Sequence, residues 1–283
     1  MVKKGLILEG GAMRGMFTCG VIDVMMENNI TFDGLSGISA GAIFGCNFKS
    51  KQIGRGVRYN KKWGRDKRYF GFWSLIKTGD LYGYDFCYHK IIDELDPIDK
   101  ETYKNNPMDF FIGATDIEEG VIRYFNSKEV DAETVEWIRA SASMPLVSNI
   151  VKVSGYKLLD GGMVDPIPYS IMIKNNYEKN IIVLTQPREF TKKKASIIPL
   201  LKIKYHKYPK LVEAMANRHI LYNKQLDEIR QMEKEGKVYV VAPYESLNIK
   251  RTENNPVELE RVYQIGRKVA NEKLDAIQDY LSK

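Results

Sequence analysis

Residues 35–42 read LSGISAGA, which places Ser39 between Gly37 and Gly41. An apolar strand pattern precedes the serine, and small or apolar helix-compatible residues follow it. On a tight strand-to-helix turn of this kind the serine side chain is forced outward, near the positive end of the helix, where negative charge on an oxygen is stabilised. The flanking glycines let neighbouring chain come close. Because a G-x-S-x-G sequence arises by chance in about one chain in ten of this length, its meaning depends on the rest of the chain.

The segments on either side of this turn alternate between strand and helix patterns. Upstream lie a strand from Gly5 to Glu9, a glycine-rich loop and a helix from Met16 to Glu27; a helix from Ala40 to Lys49 follows the turn. Further strands are predicted at 109–115, 121–125, 151–153, 156–159, 181–185 and 238–241, and further helices at 131–142, 169–174, 211–235 and from Val257 onward. This order predicts a three-layer α/β/α fold with a central, mostly parallel sheet.

Composition indicates one well-packed domain. The chain has 283 residues, 44% of them hydrophobic, with 17 Tyr and 11 Phe, which excludes an extensively disordered protein. No repeat or linker divides it, so we expect a single domain over 1–283, with a motif-bearing part at about 5–185 and a helical C-terminal extension at about 187–283. Three cysteines do not suggest a disulfide framework. The apolar run before Glu9 is too short for a signal peptide, and we expect a cytoplasmic protein.

The net charge of +7 indicates a partner that carries negative charge. Basic residues alternate with aromatic ones from Lys49 to Tyr69, and with aliphatic ones from Pro187 to Pro209. Either stretch could be an ordinary solvated helix face or connection. The alternative is a surface, or a lid, that meets lipid headgroups. We expect transient contact with an anionic membrane and no nucleic acid as partner; the sequence leaves the oligomeric state open.

The glycine-rich loop could support chemistry at Ser39. It follows a strand and opens a helix, and consecutive backbone amides in such a loop can point at one oxygen, as an oxyanion hole requires. The candidate residues are Gly10, Gly11, Ala12, Met13, Arg14 and Gly15. The same loop could instead bind a dinucleotide, with Asp33 as the acid that contacts the ribose, although Ala12 stands where that motif has its second glycine.

A nucleophilic serine also needs a base to take its proton. The chain order Ser39, Asp160, then His206 or His219 would suit a catalytic triad, but both histidines lie in segments that read as ordinary helix or basic surface, and His89 looks structural. The other candidate is Asp160 itself. It ends an apolar strand, and Gly161 and Gly162 after it allow the chain to turn back against another loop. A carboxylate would need partial burial to act as a base.

Taken together, these blocks resemble those of the patatin-like phospholipase family. The matching sequences are GGAMRG at 10–15, GISAG at 37–41 and DGG at 160–162, with ASASMP at 140–145 and DPIP at 165–168 in support. The resemblance implies an α/β/α fold and a Ser-Asp dyad without histidine. It implies Ser39 as nucleophile, Asp160 as general base and the loop at 10–15 as oxyanion hole. The expected substrate is an acyl lipid, with no cofactor and no metal.

Two alternatives remain beside a lipid acyl hydrolase. One is a dinucleotide-binding oxidoreductase that uses the Gly10–Gly15 loop. The other is a non-catalytic lipid-binding protein of the same fold.

Overall fold

The computed structural model describes residues 2–283. Its strands are β1 (Lys3–Leu8), β2 (Gly34–Ile38), β3 (Asp109–Asp116), β4 (Val121–Asn126), β5 (Val151–Val153), β6 (Tyr156–Asp160), β7 (Tyr177–Val183) and β8 (Val238–Val241). Its α-helices are α1 (Gly15–Glu27), α2 (Ala40–Lys49), α3 (Arg55–Trp63), α4 (Phe72–Thr78), α5 (Lys100–Asn105), α6 (Ala132–Ala142), α7 (Tyr169–Lys174), α8 (Ile198–Lys204), α9 (Pro209–Lys234), α10 (Pro256–Glu272) and α11 (Leu274–Ser282).

The strands of this part of the chain form one eight-stranded sheet. Its order is β5-β6-β3-β2-β1-β7-β8, and β4 also pairs with β3. The ladders among β3, β2, β1, β7 and β8 are parallel, whereas those of β4, β5 and β6 are antiparallel. Because β8 pairs with β7, the chain beyond residue 187 contributes to the same sheet as the first half.

Helices cover both faces of the sheet, because its central strands are apolar on both sides. In β1, Leu6 and Leu8 face the core that contains α1, α2 and α10, whereas Ile7 faces the core that contains α7 and α9. The predicted three-layer α/β/α architecture is therefore confirmed.

The predicted elements are present, with two differences. The helix expected from Val257 onward is two helices, because the chain turns at Lys273 between α10 and α11. No element was predicted for residues 70–108 and 187–208, which contain α4, α5, α8 and a π-helix at Phe86–Leu95. Asp131 is the N-cap of α6, since its side chain accepts a hydrogen bond from the amide of Thr134.

Key parts of the basic, aromatic stretch from Lys49 to Tyr69 are internal. The Lys49 side chain is 1% exposed and its ammonium donates to the carbonyl of Asn106 at 3.1 Å. The guanidinium of Arg55 is also buried and donates twice to the carbonyl of Asp96. For these side chains the expectation of a headgroup-binding surface is wrong, because their charges satisfy buried carbonyls.

One feature of the sheet brings two distant segments together. β4 occupies one edge of β3, so β2 and β6 both lie along the other edge. β2 runs parallel to β3 and ends where Ile38 pairs with Gly113, whereas β6 runs antiparallel and ends where Asp160 pairs with Ala114. The two strands meet end to end, which places Asp160 next to the residue that follows Ile38.

None of the helices within residues 2–283 is both long enough and apolar enough to cross a membrane.

Candidate active site

Ser39 occupies the sharp turn between β2 and α2. Its backbone has φ 55° and ψ −121°, a conformation that residues with a side chain rarely adopt. Its amide donates a hydrogen bond of 2.8 Å to the Oγ of Ser141, which holds the turn. A Cβ on Gly37 would stand 2.6 Å from the carbonyl oxygen of Gly41, and one on Gly41 would stand 2.3 Å from that of Leu8. The glycines therefore provide space, while the serine itself carries the backbone strain.

Asp160 ends β6 and is 8% exposed. Its amide donates to the carbonyl of Ser143 and its carbonyl accepts from the hydroxyl of Thr115, both at 2.8 Å, which fixes its backbone. The carboxylate accepts a hydrogen bond of 2.7 Å from the amide of Gly162. Burial raises the pKa of this carboxyl above its ordinary value, although the neighbouring Ser39 hydroxyl and the Gly162 amide act in the opposite direction. A buried, oriented carboxylate thus lies beside the Ser39 hydroxyl.

The glycine-rich loop lies directly against Ser39, since a Cβ on Gly10 would stand 3.2 Å from the Cβ of the serine. Half of the six loop amides already have acceptors inside the protein: those of Gly10, Arg14 and Gly15. Within residues 2–283, the other three donate to no protein atom: those of Gly11, Ala12 and Met13. Free amides beside a serine are suited to binding an oxyanion, and Gly11 and Ala12 line the same cavity as Ser39.

Ala12 adopts the left-handed conformation, with φ 49°. Glycine adopts this conformation without strain, whereas alanine pays a steric cost because of its Cβ. The alanine in the middle of the loop is therefore strained, but its amide stays available.

A buried acid fixes the start of this loop. Glu9 is 1% exposed, and its carboxylate accepts hydrogen bonds from the hydroxyl of Thr185 at 3.0 Å and from that of Tyr222 at 2.6 Å. These partners come from the segment after β7 and from α9. Sequence reasoning did not assign Glu9, Thr185 or Tyr222 to the site; an acid that directly follows an apolar strand was the one local signal.

The three histidines lie in different surroundings. His89 packs edge-to-face on Tyr84 at a ring-centroid distance of 5.0 Å, and His206 is exposed at the end of α8. His219 lies on α9 and lines the cavity that contains Ser39 and Asp160. Within the described chain, no ring nitrogen of His219 forms a hydrogen bond with either residue. The geometry therefore brings Ser39 together with Asp160 and leaves the histidines outside the pair.

Asp33 lies at the wrong end of the sheet for dinucleotide binding. Its carboxylate accepts a hydrogen bond of 2.7 Å from the amide of Lys4, at the amino end of β1. The glycine-rich loop follows the carboxyl end of that strand, about 20 Å away at 3.3 Å per residue. A ribose held by the loop could not reach Asp33, so the role that the dinucleotide interpretation gave to this acid is wrong.

Two cavities of opposite character meet at the serine. One, of about 110 Å³, is lined mainly by apolar and aromatic side chains such as Ile43, Phe44 and Ile138. The other, of about 320 Å³, contains Asp160 and several basic side chains. Both are lined by Ala12, Ser39 and Met144. Within residues 2–283, no group of three His, Cys, Asp or Glu side chains is placed to hold a metal ion.

Comparisons with known proteins concern the family and the fold of the chain. A family model described as patatin-like phospholipase matches residues 6–173, and one described as a domain of unknown function matches residues 208–282. The uncharacterized protein YjjU of Escherichia coli (strain K12) is 25% identical over 189 residues, which cover 65% of this chain and 52% of that protein. Lysophospholipase NTE1 of Meyerozyma guilliermondii is 28% identical over 200 residues, which cover 63% of this chain and 12% of that protein.

The chain thus spans about half the length of the bacterial relative and a small part of the yeast one. Among solved structures, VipD from Legionella pneumophila superposes with a TM-score of 0.50 at 11% identity, covering 98% of this chain and 67% of that one. At this identity the similarity concerns the fold.

Proposed function

Because this chain belongs to the patatin-like phospholipase family, we propose that it is a serine lipid acyl hydrolase whose Ser39-Asp160 dyad cleaves carboxylic ester bonds of acyl lipids. The observation that carries the proposal is the end-to-end meeting of β2 and β6 on β3, which sets a strained serine beside a buried carboxylate. A protein that only binds lipid would need neither a strained backbone at Ser39 nor a buried Asp160 carboxylate beside it. The relative named as a lysophospholipase supports the same class of reaction.

In the proposed acylation step, the Oγ of Ser39 attacks the carbonyl carbon of the ester and its proton passes to the Asp160 carboxylate. The amides of Gly11 and Ala12 donate hydrogen bonds to the carbonyl oxygen as it becomes an oxyanion. As the tetrahedral intermediate collapses, the bond to the alcohol breaks and Asp160 returns the proton to the leaving oxygen. The acyl group stays on Ser39 as an ester.

In deacylation, a water molecule attacks the acyl carbon and gives its proton to Asp160. The bond between the acyl group and Ser39 then breaks, the serine recovers its proton, and the fatty acid leaves. The acyl chain lies in the apolar cavity lined by Ile43, Phe44 and Ile138 during both steps.

A fluorophosphonate probe tests this proposal, because it reacts with activated serines. We expect the probe to label the wild-type protein at Ser39, as located by peptide mass spectrometry, and the same protein to hydrolyse p-nitrophenyl butyrate. Ser39→Ala should lose both the label and the activity. A wild-type protein that is neither labelled nor active would instead be the non-catalytic lipid-binding alternative.

We also assign the membrane contact to two exposed apolar helices, α4 and α8. Phe72, Trp73 and Ile76 of α4 and Leu200 and Ile203 of α8 are 53–73% exposed. Exposed cations accompany them: Lys77, Lys202, Lys204 and Lys207. Apolar side chains with surrounding lysines suit an anionic membrane surface.

Both helices border the segment 144–149, which lines the basic cavity at Met144, Pro145 and Val147. The carbonyl of Val147 accepts a hydrogen bond from Leu81, just beyond α4, and the amide of Leu146 donates to the hydroxyl of Tyr205, at the end of α8. A membrane on this surface would thus meet the opening to the site. We expect Trp73 fluorescence to shift to shorter wavelength when anionic vesicles are added, and Trp73→Phe to lose that shift.

In a vesicle sedimentation assay, Ile203→Asp should weaken binding about tenfold or more, because burial of an aliphatic side chain is worth about 1.5–3 kcal/mol. Ile173→Asp is the matched control, since Ile173 is exposed on α7, in another part of the fold. Equal weakening by both substitutions would contradict this assignment of the surface.

A further inference from the structure

The basic cavity beside Ser39 has an unusual excess of positive charge. Five cationic side chains line it: those of Arg14, Lys192, Lys193, Arg218 and Arg251. Among the described residues that line it, Asp160 is the one acid. None of the five cations forms a salt bridge within residues 2–283, although many other lysines and arginines of the chain do. Asp160 and the buried Glu9 are the nearby acids that act on these cations, and they leave the positive charge of the cavity in excess.

Two of these cations are held by the fold. The Nε of Arg218, on α9, donates to the carbonyl of Gly162, which follows the catalytic aspartate. The backbone of Lys192 donates to and accepts from the side chain of Asn223, at 2.8 and 3.1 Å. The ammonium of Lys192 lies 4.7 Å from the centre of the Tyr222 ring. These contacts position the charges at the cavity instead of letting them extend into solvent.

Holding these charges together is unfavourable without an anion. Burial, together with the nearby charges of Arg218 and Arg251, lowers the pKa of Lys192 to about 7. Burial also lowers the pKa of Arg218 and that of Arg14. The Nε of Arg14 is buried and has no acceptor among the described residues. Crowded, partly buried cations with unused donors are typical of a site that binds a multivalent oxyanion.

The position of the basic cavity indicates which part of a substrate carries the anion. Because the apolar and basic cavities meet at Ser39, an ester carbonyl at the serine directs its acyl chain into the first and its alcohol portion into the second. Building on the proposed hydrolase function, we infer that the leaving alcohol carries an unsubstituted phosphate, held by Lys192, Arg218 and Arg251. The substrate class is thus an acyl ester of a phosphorylated polyol, such as a monoacylglycerol phosphate.

The same charges disfavour a phosphodiester headgroup that ends in a cation. A phosphate monoester carries a charge of about −1.5 to −2 at neutral pH, which matches several cations. A choline or ethanolamine group would bring a positive charge among them, and the one acid of the described lining, Asp160, serves as the base. The cavity volume of about 320 Å³ also suits a small headgroup.

The test compares four esters with octanoyl or shorter chains, used below their critical micelle concentrations so that no lipid surface contributes. They are a monoacylglycerol, its 3-phosphate, its 3-phosphocholine and p-nitrophenyl butyrate. We expect kcat/KM for the phosphate monoester to exceed that for the monoacylglycerol and for the phosphocholine ester at least about tenfold, the usual size of one charge-assisted contact. Lys192→Gln and Arg218→Gln should each reduce this preference about tenfold.

Lys224→Gln is the matched control, because Lys224 lies on α9 with a side chain that is 71% exposed. It should leave the preference ratio unchanged. Equal kcat/KM for the phosphorylated and the neutral ester, or equal ratios in Lys192→Gln and Lys224→Gln, would overturn the inference while p-nitrophenyl butyrate hydrolysis still upheld the proposed function. Loss of hydrolysis of all four esters by the wild-type protein would overturn both.

Inorganic phosphate distinguishes the source of the anion. If it inhibits p-nitrophenyl butyrate hydrolysis and the phosphate monoester is also the preferred substrate, the cavity recognises the headgroup. If it inhibits but no preference for the monoester exists, the cavity binds free anions and the inference about the substrate fails.

Discussion

We expect Asp160→Asn to lower kcat/KM for p-nitrophenyl butyrate by a factor of about 10³ or more, because in the proposed mechanism the amide cannot accept the proton of Ser39. The substitution keeps the shape of the side chain, and its oxygen can still accept the hydrogen bond from Gly162. The fold should therefore persist, which far-ultraviolet circular dichroism and the thermal unfolding midpoint would check. Ester hydrolysis is measured on the same samples.

His219→Gln is the informative comparison, because His219 lines the same cavity on α9. We expect it to change kcat/KM less than tenfold, since His219 is bonded to neither member of the pair. If His219→Gln lowered kcat/KM as much as Asp160→Asn does, the result would contradict the dyad and indicate a triad that includes His219. Full activity in Asp160→Asn would remove the aspartate from the mechanism.

The pH dependence follows from the same carboxylate. Asp160 must be ionised to accept a proton, and burial raises its pKa above the ordinary value. As the pH is lowered through that pKa, the carboxyl becomes protonated and kcat/KM falls. We therefore expect the acidic limb of the pH profile at a higher pH than an exposed aspartate would give.

We expect Gly41→Ala to lower the free energy of unfolding by about 3 kcal/mol or more, because the added methyl has no space. Its Cβ would stand 2.3 Å from the carbonyl oxygen of Leu8, an atom of the central strand β1. Either β1 or α2 must move; β1 leads into the glycine-rich loop, and α2 begins directly after Ser39. Urea unfolding measures the loss, and ester hydrolysis should fall with it because the loop after β1 shifts away from Ser39.

Gly236→Ala is the control for backbone strain without collision. Gly236 has φ 69° and no atom within 4 Å of an added Cβ, so its substitution should cost about 1 kcal/mol. If Gly41→Ala and Gly236→Ala lowered the free energy of unfolding equally, the turn would not require a glycine at position 41 for close packing.

Local signals account for the candidate site residues that could be predicted from the sequence. The G-x-S-x-G turn, the glycine-rich loop and the strand that ends at Asp160 each depend on neighbouring residues, so their patterns were readable without the fold. The headgroup-binding surface predicted for the basic stretch from Lys49 was wrong for a related reason. The sequence shows the charges of Lys49 and Arg55. It does not show that these side chains are buried against carbonyls from residues 96–108, because those contacts join segments distant in sequence.

The sequence by itself determined most of the strands and helices, their order and the two candidate catalytic residues, because periodicity, turn chemistry and charge are encoded locally. Only the tertiary structure decided that β2 and β6 meet on one edge of β3, so that Ser39 and Asp160, far apart in the chain, become neighbours. It also decided that the strain falls on Ser39 and that Arg218 and Lys192 line the same cavity as the serine. Strand pairing and helix packing set these relations, since they depend on how surfaces from distant segments fit together and not on any one stretch of residues.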